Sequence, residues 1–388
     1  MEISACVKYV GVNDHQVDLF EGQYKVPNGM SYNSYVILDE KIAVMDTVDG
    51  FFTEEWLNNV EQVLSGKTPD YLVIQHMEPD HSASIPAFLK KYPKATVVST
   101  AKGFQFMEQF FPEFFAGQGL PAEQRIVAAN DGVLGLGQHS LHFVYTPMVH
   151  WPEVMMTYET TEKILFAADG FGKFGALDVE EEWTDEARRY YIGIVGKYGP
   201  QVQAVLKKAA GLDIQTICSL HGPVLTENLG FYLEKYDQWS SYQPEESGVV
   251  IAYASVYGNT RNAAEYLADV LQEKGQKTVL YDLARCDKAK AVADAFRYDR
   301  LLLAGITYNG DLFPCMRSFI EGLTERNYQN RKVAIIENGT WAPMAGKLIR
   351  GMFEKSKNLT FTETTVSIKS AMNAQNKEEI GKLAEELS

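Results

Sequence analysis

The sequence predicts a two-part chain with α/β and α+β character: mixed strands and helices over residues 1–246, then a doubly wound parallel sheet over 247–388. Three observations predict it. A chain of 388 residues is too long for one ordinary domain. Metal-capable side chains follow apolar runs in the first part, as at Tyr71-Leu72-Val73-Ile74 before His76. After a polar break, strand and helix patterns alternate regularly to the end.

In the first part, strands are expected over 34–38 and 41–46, with Asp39-Glu40 between them as a hairpin turn. Helical spacing follows over 54–64. A buried strand over 71–75, a helix over 82–91 and a short strand over 95–99 come next. Strands are expected over 140–145, 154–158 and 163–167. Helices over 188–197 and 201–210 are separated by Gly199-Pro200, and Gly211 stops the second. The strand 214–218 leads to Leu220-His221-Gly222-Pro223. The run 240–248 is polar and holds Pro244 and Gly248, so it reads as a linker. Beyond it, strands over 249–254, 277–281, 300–304, 332–337 and 365–368 alternate with helices over 261–273, 289–295, 316–325, 344–353 and 377–387, which makes a parallel doubly wound sheet.

Composition excludes several function classes. A net charge of −15 argues against nucleic acid, which needs a concentrated basic surface. It fits solubility, and it leaves room for a local basic patch that docks a small acidic protein. No stretch approaches the roughly 20 apolar residues that span a bilayer, so no membrane association is expected. The start, Met1-Glu2-Ile3-Ser4-Ala5-Cys6, lacks a basic region followed by an apolar core, so no signal peptide is expected. Cys6, Cys218, Cys286 and Cys315 are scattered, with no CxxC pair. This argues against a rubredoxin-type or iron–sulfur module within the sequence and fits a reducing cytoplasm.

The run His76-Met77-Glu78-Pro79-Asp80-His81 puts four metal-capable side chains within six residues, where a buried strand ends. A zinc hydrolase of the metallo-β-lactamase type would carry His where Glu78 stands. A carboxylate there hardens the site toward iron or manganese. His150, Asp169 and His221 also stand at strand ends. A binuclear set is consistent with this order: His76, Glu78 and His150 on one metal, Asp80, His81 and His221 on the other, bridged by Asp169. His15, His139 and His142 lack such partners in the sequence and read as structural or surface residues.

Ser255-Val256-Tyr257-Gly258-Asn259-Thr260 follows the first strand of the second part and opens a helix. Hydroxyls at both ends, with Gly258 and Asn259 permitting unusual backbone angles, can wrap one phosphate at a helix N-terminus. Neither GxGxxG nor GxxxxGK[ST] is present there, which disfavours a dinucleotide or nucleoside triphosphate. Thr307-Tyr308-Asn309-Gly310-Asp311-Leu312-Phe313 follows the third strand, and Asn338-Gly339-Thr340-Trp341-Ala342 the fourth. Both lie where open sheets bind ligands.

The order H-x-[EH]-x-D-H … H … D … H resembles the metallo-β-lactamase fold. With Glu in the second position and a flavodoxin-like domain after it, the whole chain resembles the flavodiiron proteins. The resemblance implies an N-terminal metallo-β-lactamase-like αββα sandwich followed by a flavodoxin-like doubly wound sheet. It implies FMN, with Tyr308 and Trp341 against the isoalloxazine ring, and two iron ions per chain. In that family His76, Glu78 and His150 would hold the iron nearer the flavin, Asp80 and His221 the other, and Asp169 would bridge them. The position of His81 is a ligand in some members and swings away in others. Tyr24 is a candidate for the shell around the irons.

The activity implied is reduction of dioxygen to water, of nitric oxide to nitrous oxide, or both, as protection against oxygen or nitrosative stress. The resemblance also implies a head-to-tail homodimer or homotetramer and a separate electron donor, rubredoxin or a reduced deazaflavin. Two other readings remain open: a zinc hydrolase with a flavodoxin-like appendage, and an electron carrier with a vestigial metal site.

Overall fold

The computed structural model describes residues 3–117 and 119–388. It divides into two compact units: the chain up to Tyr191 with Pro200–Asp237, and Ile192–Gly199 with Gln238–Ser388.

The first unit is built on two mixed sheets. One runs in the order Val7–Tyr9, Tyr35–Ile37, Ala43–Met45, Tyr71–Val73, Thr96–Ser99, Arg125–Val127, antiparallel across its first three strands and parallel beyond. The other runs Val133–Gly135, Ser140–Tyr145, Met155–Glu159, Ile164–Phe166, Thr216–Cys218, and only its last pair is parallel. Ile37, Met45 and Val73 from one sheet pack with Phe143, Met155 and Phe166 from the other in a single core. This sheet-on-sheet burial is why the strands read as apolar runs.

Asn33 ties this core to a functional loop. Its buried amide donates to Ser219 O at 2.9 Å and Gly222 O at 2.8 Å, and its side-chain oxygen accepts from Tyr9 Oη at 3.0 Å. Asn33→Ala removes all three bonds and strands the Gly222 carbonyl, while Ser219 O keeps its 2.7 Å bond from Tyr35 Oη. Chemical denaturation should report a loss of about 3 kcal/mol.

Several elements differ from expectation. The helix expected over 82–91 is Ile85–Lys91, with Pro at its start, and a separate turn of helix spans Pro79–Ser82. Pro tolerates only the first helical turn, so each proline marks a new start. The helix expected over 188–197 begins earlier, as Trp183–Tyr190. Glu182 caps it by accepting from Thr184 N, and it passes into a wider π turn at Tyr191–Val195. The helices Ala101–Phe110 and Leu229–Ser240 were not expected.

In the second unit five parallel strands lie in the order Thr278–Asp282, Glu246–Tyr253, Tyr298–Tyr308, Lys332–Asn338, Thr360–Ile368. Numbered along the chain this is 2-1-3-4-5, the flavodoxin-like order. The run 240–248 is not a free linker. Tyr242 Oη donates to Gly196 O at 2.9 Å, Trp239 Nε1 to Glu245 Oε1 at 2.8 Å, and Arg331 holds Tyr242 O at 2.7 Å. Its polar composition suggested solvent, but two large aromatics anchor it.

Candidate metal and flavin sites

The strand Tyr71–Val73 is prolonged by Ile74 N donating to Val98 O at 2.8 Å. Gln75 is then pinned by Asp46, which accepts from Gln75 N at 2.7 Å and from its amide at 2.9 Å. Burial pushes the Asp46 carboxyl up, these bonds partly offset it, and the result is about 6. The chain leaves this rigid point at His76. Pro79 opens the turn Pro79–Ser82, which folds Asp80 and His81 back beside it. His81 O accepts from Thr47 N and Oγ1 at 2.9 and 2.8 Å.

All seven expected ligands converge, in two groups. Donor atoms of His76, Glu78, His150 and Asp169 lie within 4.8 Å of one another, as do those of Asp80, His81 and His221. Asp169 faces both. Its Oδ2 lies 3.1 Å from His150 Nε2 and 3.5 Å from His76 Nε2, while its Oδ1 lies 3.3 Å from His81 Nε2 and 3.9 Å from His221 Nε2. Glu78 Oε2 is 3.2 Å from His76 Nε2 and 3.1 Å from His150 Nε2. Asp80 Oδ2 is 3.3 Å from both His81 Nε2 and His221 Nε2. His81 points into the cluster, with its Nε2 3.0 Å from that of His221.

The backs of the rings are held too. His76 Nδ1 lies 2.8 Å from Glu153 Oε1, which also accepts from Met77 N at 2.9 Å. His221 Nδ1 lies 2.7 Å from Ser31 O. Each contact fixes a tautomer with Nε2 facing the cluster, the arrangement of carboxylate–histidine–metal relays. Glu153 was missed from the sequence, although it closes the run His150-Trp151-Pro152-Glu153. Glu153→Ala should weaken metal binding 10- to 100-fold, and Glu153→Gln, which still accepts from both groups, should restore most of it. Competition with a chelator measures this.

Phe20, Tyr32 and Tyr190 set their rings against His221 at centroid distances of 5.4, 6.0 and 5.4 Å. Tyr24 sits one ring further back, 5.4 Å from Phe174, which in turn contacts Phe20 and Tyr190. His15 is at the surface beside Asp178 at 3.0 Å, and half-buried His142 is 3.8 Å from Asp131.

The donor set fits divalent cations. Asp80 Oδ1 and Oδ2 and Asp169 Oδ1 are buried without a hydrogen-bond partner. Buried carboxylate oxygens in that condition are costly unless a cation faces them. Burial opposes protonation of His76, but Asp169, Glu153 and Glu78 outweigh it and raise its pKa well above the imidazole range. His150 is likewise pushed up to about 9 by Asp169 and Glu78 against burial. Burial would raise Asp169, but His76, His150 and His81 hold it well below the carboxylate range. The cluster therefore draws positive charge strongly, and two metal ions would take the place of the imidazole protons.

In the second unit a cavity of about 420 Å³ opens at the carboxyl ends of the strands. Ser255, Val256, Tyr257, Asn259 and Thr260 line it, as do Thr307, Tyr308, Asn309 and Gly310, and Asn338, Gly339, Thr340, Trp341 and Ala342. Ile306, Met344 and Ser370 join them unanticipated. Gly258 (φ +90°) caps the helix Asn259–Glu273, donating its N–H to Ser255 Oγ at 3.1 Å. Thr260 Oγ1 accepts from the Asn338 amide at 3.3 Å, and Thr307 Oγ1 from Met344 N at 2.8 Å, so the loops brace one another.

Besides Gly258, whose place is the helix cap rather than the lining, three expected residues stand aside from the cavity. Asp311 pairs with Arg317, Leu312 is buried, and Phe313 packs on Tyr308 at 5.3 Å. The cause is a tight hairpin at Asn309-Gly310, both with positive φ, which turns the chain back as Asp311–Leu312. Around the cavity Tyr257 is 92% and Trp341 82% exposed. Large bare aromatics beside a free helix N-terminus suit a planar ring system carrying a phosphate.

Comparison with known proteins agrees with both halves. Residues 30–222 match the ODP family beta lactamase, and residues 250–366 match the flavodoxin domain. An anaerobic nitric oxide reductase flavorubredoxin of Aeromonas hydrophila is 29% identical over 350 residues, 86% of this chain and 69% of that protein. An uncharacterized protein of Methanocaldococcus jannaschii is 28% identical over 82% of this chain and 80% of its own. The flavodiiron protein from Giardia intestinalis superposes with a TM-score of 0.92 at 26% identity, over 100% of this chain and 95% of that one. The rubredoxin oxygen:oxidoreductase of Desulfovibrio gigas shares the fold, with a TM-score of 0.91 at 24% identity over 99% and 96%. With a beta-lactamase-like unit, a flavodoxin unit and a full-length match of that quality, this chain belongs to the flavodiiron protein family.

Proposed function

We propose that this protein reduces dioxygen to water, nitric oxide to nitrous oxide, or both, at a diiron site reloaded by FMN. The observation that carries the reading is the two-sided arrangement of Asp169, one oxygen toward each group of ligands, together with the flavin cavity in the same chain. His76, Glu78 and His150 would hold one iron and Asp80, His81 and His221 the other, with Asp169 between them. Iron held there would supply electrons to a diatomic gas, and FMN bound in the cavity would supply them singly or in pairs. Glu153 and Ser31 keep His76 and His221 aimed. Phe20, Tyr32 and Tyr190 keep bulk water from the back of His221. Ser255, Gly258, Asn259 and Thr260 would cradle the FMN phosphate, and Tyr308 and Trp341 would flank its ring.

The reading extends to a head-to-tail homodimer or homotetramer that pairs one chain's flavin with another's irons. It includes a separate donor, rubredoxin or a deazaflavin, and a cytoplasmic location. Two relatives support the gas and donor assignments by name, one a nitric oxide reductase and one a rubredoxin oxygen:oxidoreductase. No helix of the described residues is long and apolar enough to cross a membrane.

Elemental analysis of protein purified anaerobically from iron-supplied cells tests the metal. About two irons per chain are expected, with oxygen or nitric oxide consumed when the flavin is reduced. Two zincs that iron supply cannot displace, with hydrolase activity, would overturn the reading.

A further inference from the structure

A second cluster of ligand-type side chains lies at the other end of the first unit's sheets. Cys6 stands just before the strand Val7–Tyr9, His139 just before Ser140–Tyr145, and Glu162 in the turn between Met155–Glu159 and Ile164–Phe166. Their donor atoms all lie within 4.8 Å of one another. Strand register fixes the place. Val7 pairs with Ile37, Ile37 with Ala43, and Ala43 with Tyr71, at the opposite end of that strand from His76.

Three features distinguish the cluster from a simple ion pair. His139 Nδ1 lies 2.8 Å from Asp39 Oδ2, and the same oxygen accepts His139 N at 2.7 Å. This sets the Nδ1–H tautomer and leaves Nε2 as a lone-pair donor toward Glu162, whose Oε1 is 3.5 Å away. That gap is long for a hydrogen bond but close to the separation of about 3.4 Å between N and O donors around a tetrahedral zinc. Glu162 Oε2 is buried with no hydrogen-bond partner. The turn carrying Glu162 is itself built: fully buried Glu159 accepts from Thr161 N at 2.8 Å and Glu162 N at 2.6 Å.

We propose that Cys6, His139 and Glu162 bind one Zn²⁺ ion, with Asp39 as the positioning carboxylate behind His139 and water in the fourth position. A thiolate beside an imidazole and one carboxylate is softer than the all-oxygen-and-nitrogen set of the diiron site, and it selects zinc over iron. On binding, the Cys6 S–H bond gives way to an S–Zn bond and the proton leaves to solvent. No electron moves. The ion would clip the start of the first sheet to two turns of the second.

The test uses the full chain with its irons and flavin in place and Co²⁺ as the probe. Cobalt bound to a thiolate gives a near-ultraviolet charge-transfer band, and tetrahedral cobalt gives strong visible bands, both read as difference spectra. The proposed iron ligands include no sulfur, so the thiolate band reports this cluster whether or not the diiron reading holds. The expected result is one Co²⁺ per chain, displaced by Zn²⁺, with the thiolate band lost in Cys6→Ser and gas reduction unchanged. Asp39→Asn should weaken binding 10- to 100-fold. A wild-type chain without the thiolate band, or a band that survives Cys6→Ser, would overturn the proposal. Should Cys6→Ser fail to fold, Glu162→Gln decides: unchanged cobalt affinity refutes the site, and a loss of tenfold or more supports it.

Discussion

Asp169→Ala is expected to cut oxygen and nitric oxide consumption by more than about 100-fold while the flavin stays bound. Loss of a carboxylate that merely orients a ligand already costs 10- to 100-fold, and Asp169 faces both groups, with one oxygen toward each. Removing it leaves His76 and His150 on one side and His81 and His221 on the other without their shared counter-charge. The measurement pairs an oxygen or nitric oxide electrode with metal and flavin content of the same sample. Full turnover in this variant would show that the metal assignment is wrong. A flavin loss of the same size would show that the protein had unfolded.

The reciprocal result is expected of Ser255→Asp. The new carboxylate can still accept from Gly258 N, as Ser255 Oγ does now, so the loop can keep its shape. It would also place a negative charge in the proposed phosphate cradle. Two like charges at 4 Å repel by about 4 kcal/mol at an effective dielectric near 20, so FMN affinity should fall at least about 100-fold. Iron content should not change, because the ligands lie in the other unit. Fluorescence titration of the flavin-stripped variant with FMN reads the loss, and undiminished affinity would move the phosphate elsewhere. Together the two variants separate metal binding from flavin binding within one chain.

The residues most legible in the sequence were those whose chemistry follows directly on a buried strand. His76 to His81 stand out because Tyr71-Leu72-Val73-Ile74 has no other reason to end in four ligands. Ser255 to Thr260 stand out because a small polar turn between a strand and a helix is a recognisable phosphate cradle. What escaped was whatever depends on the third dimension. Glu153 is one carboxylate among 51 acidic residues, and only folding puts it behind His76. Ser31 acts through its carbonyl, which no side-chain motif can signal. Asp311, Leu312 and Phe313 shared a loop with true cavity residues until the Asn309-Gly310 hairpin turned them away. His139 read as a structural residue because Cys6, Asp39 and Glu162 are all distant from it in sequence.

The segmentation of the chain has a mechanical consequence. The polypeptide passes between the two units three times, at 191/192, 199/200 and 237/238. The middle excursion, Ile192–Gly199, supplies the carbonyl that Tyr242 grips and the Gly193 carbonyl that accepts from Arg326 Nε at 3.1 Å. No single cut can therefore release the C-terminal unit with all its own hydrogen bonds. A gene fusion that borrows only residues after the polar run leaves these partners behind. Under tension the two units should not come apart like beads on a string, because the short return segment must first be pulled out of the second unit. In a flavodoxin joined by one tether, the tether would yield first. Here the connection is a stitch, and the load falls on folded structure.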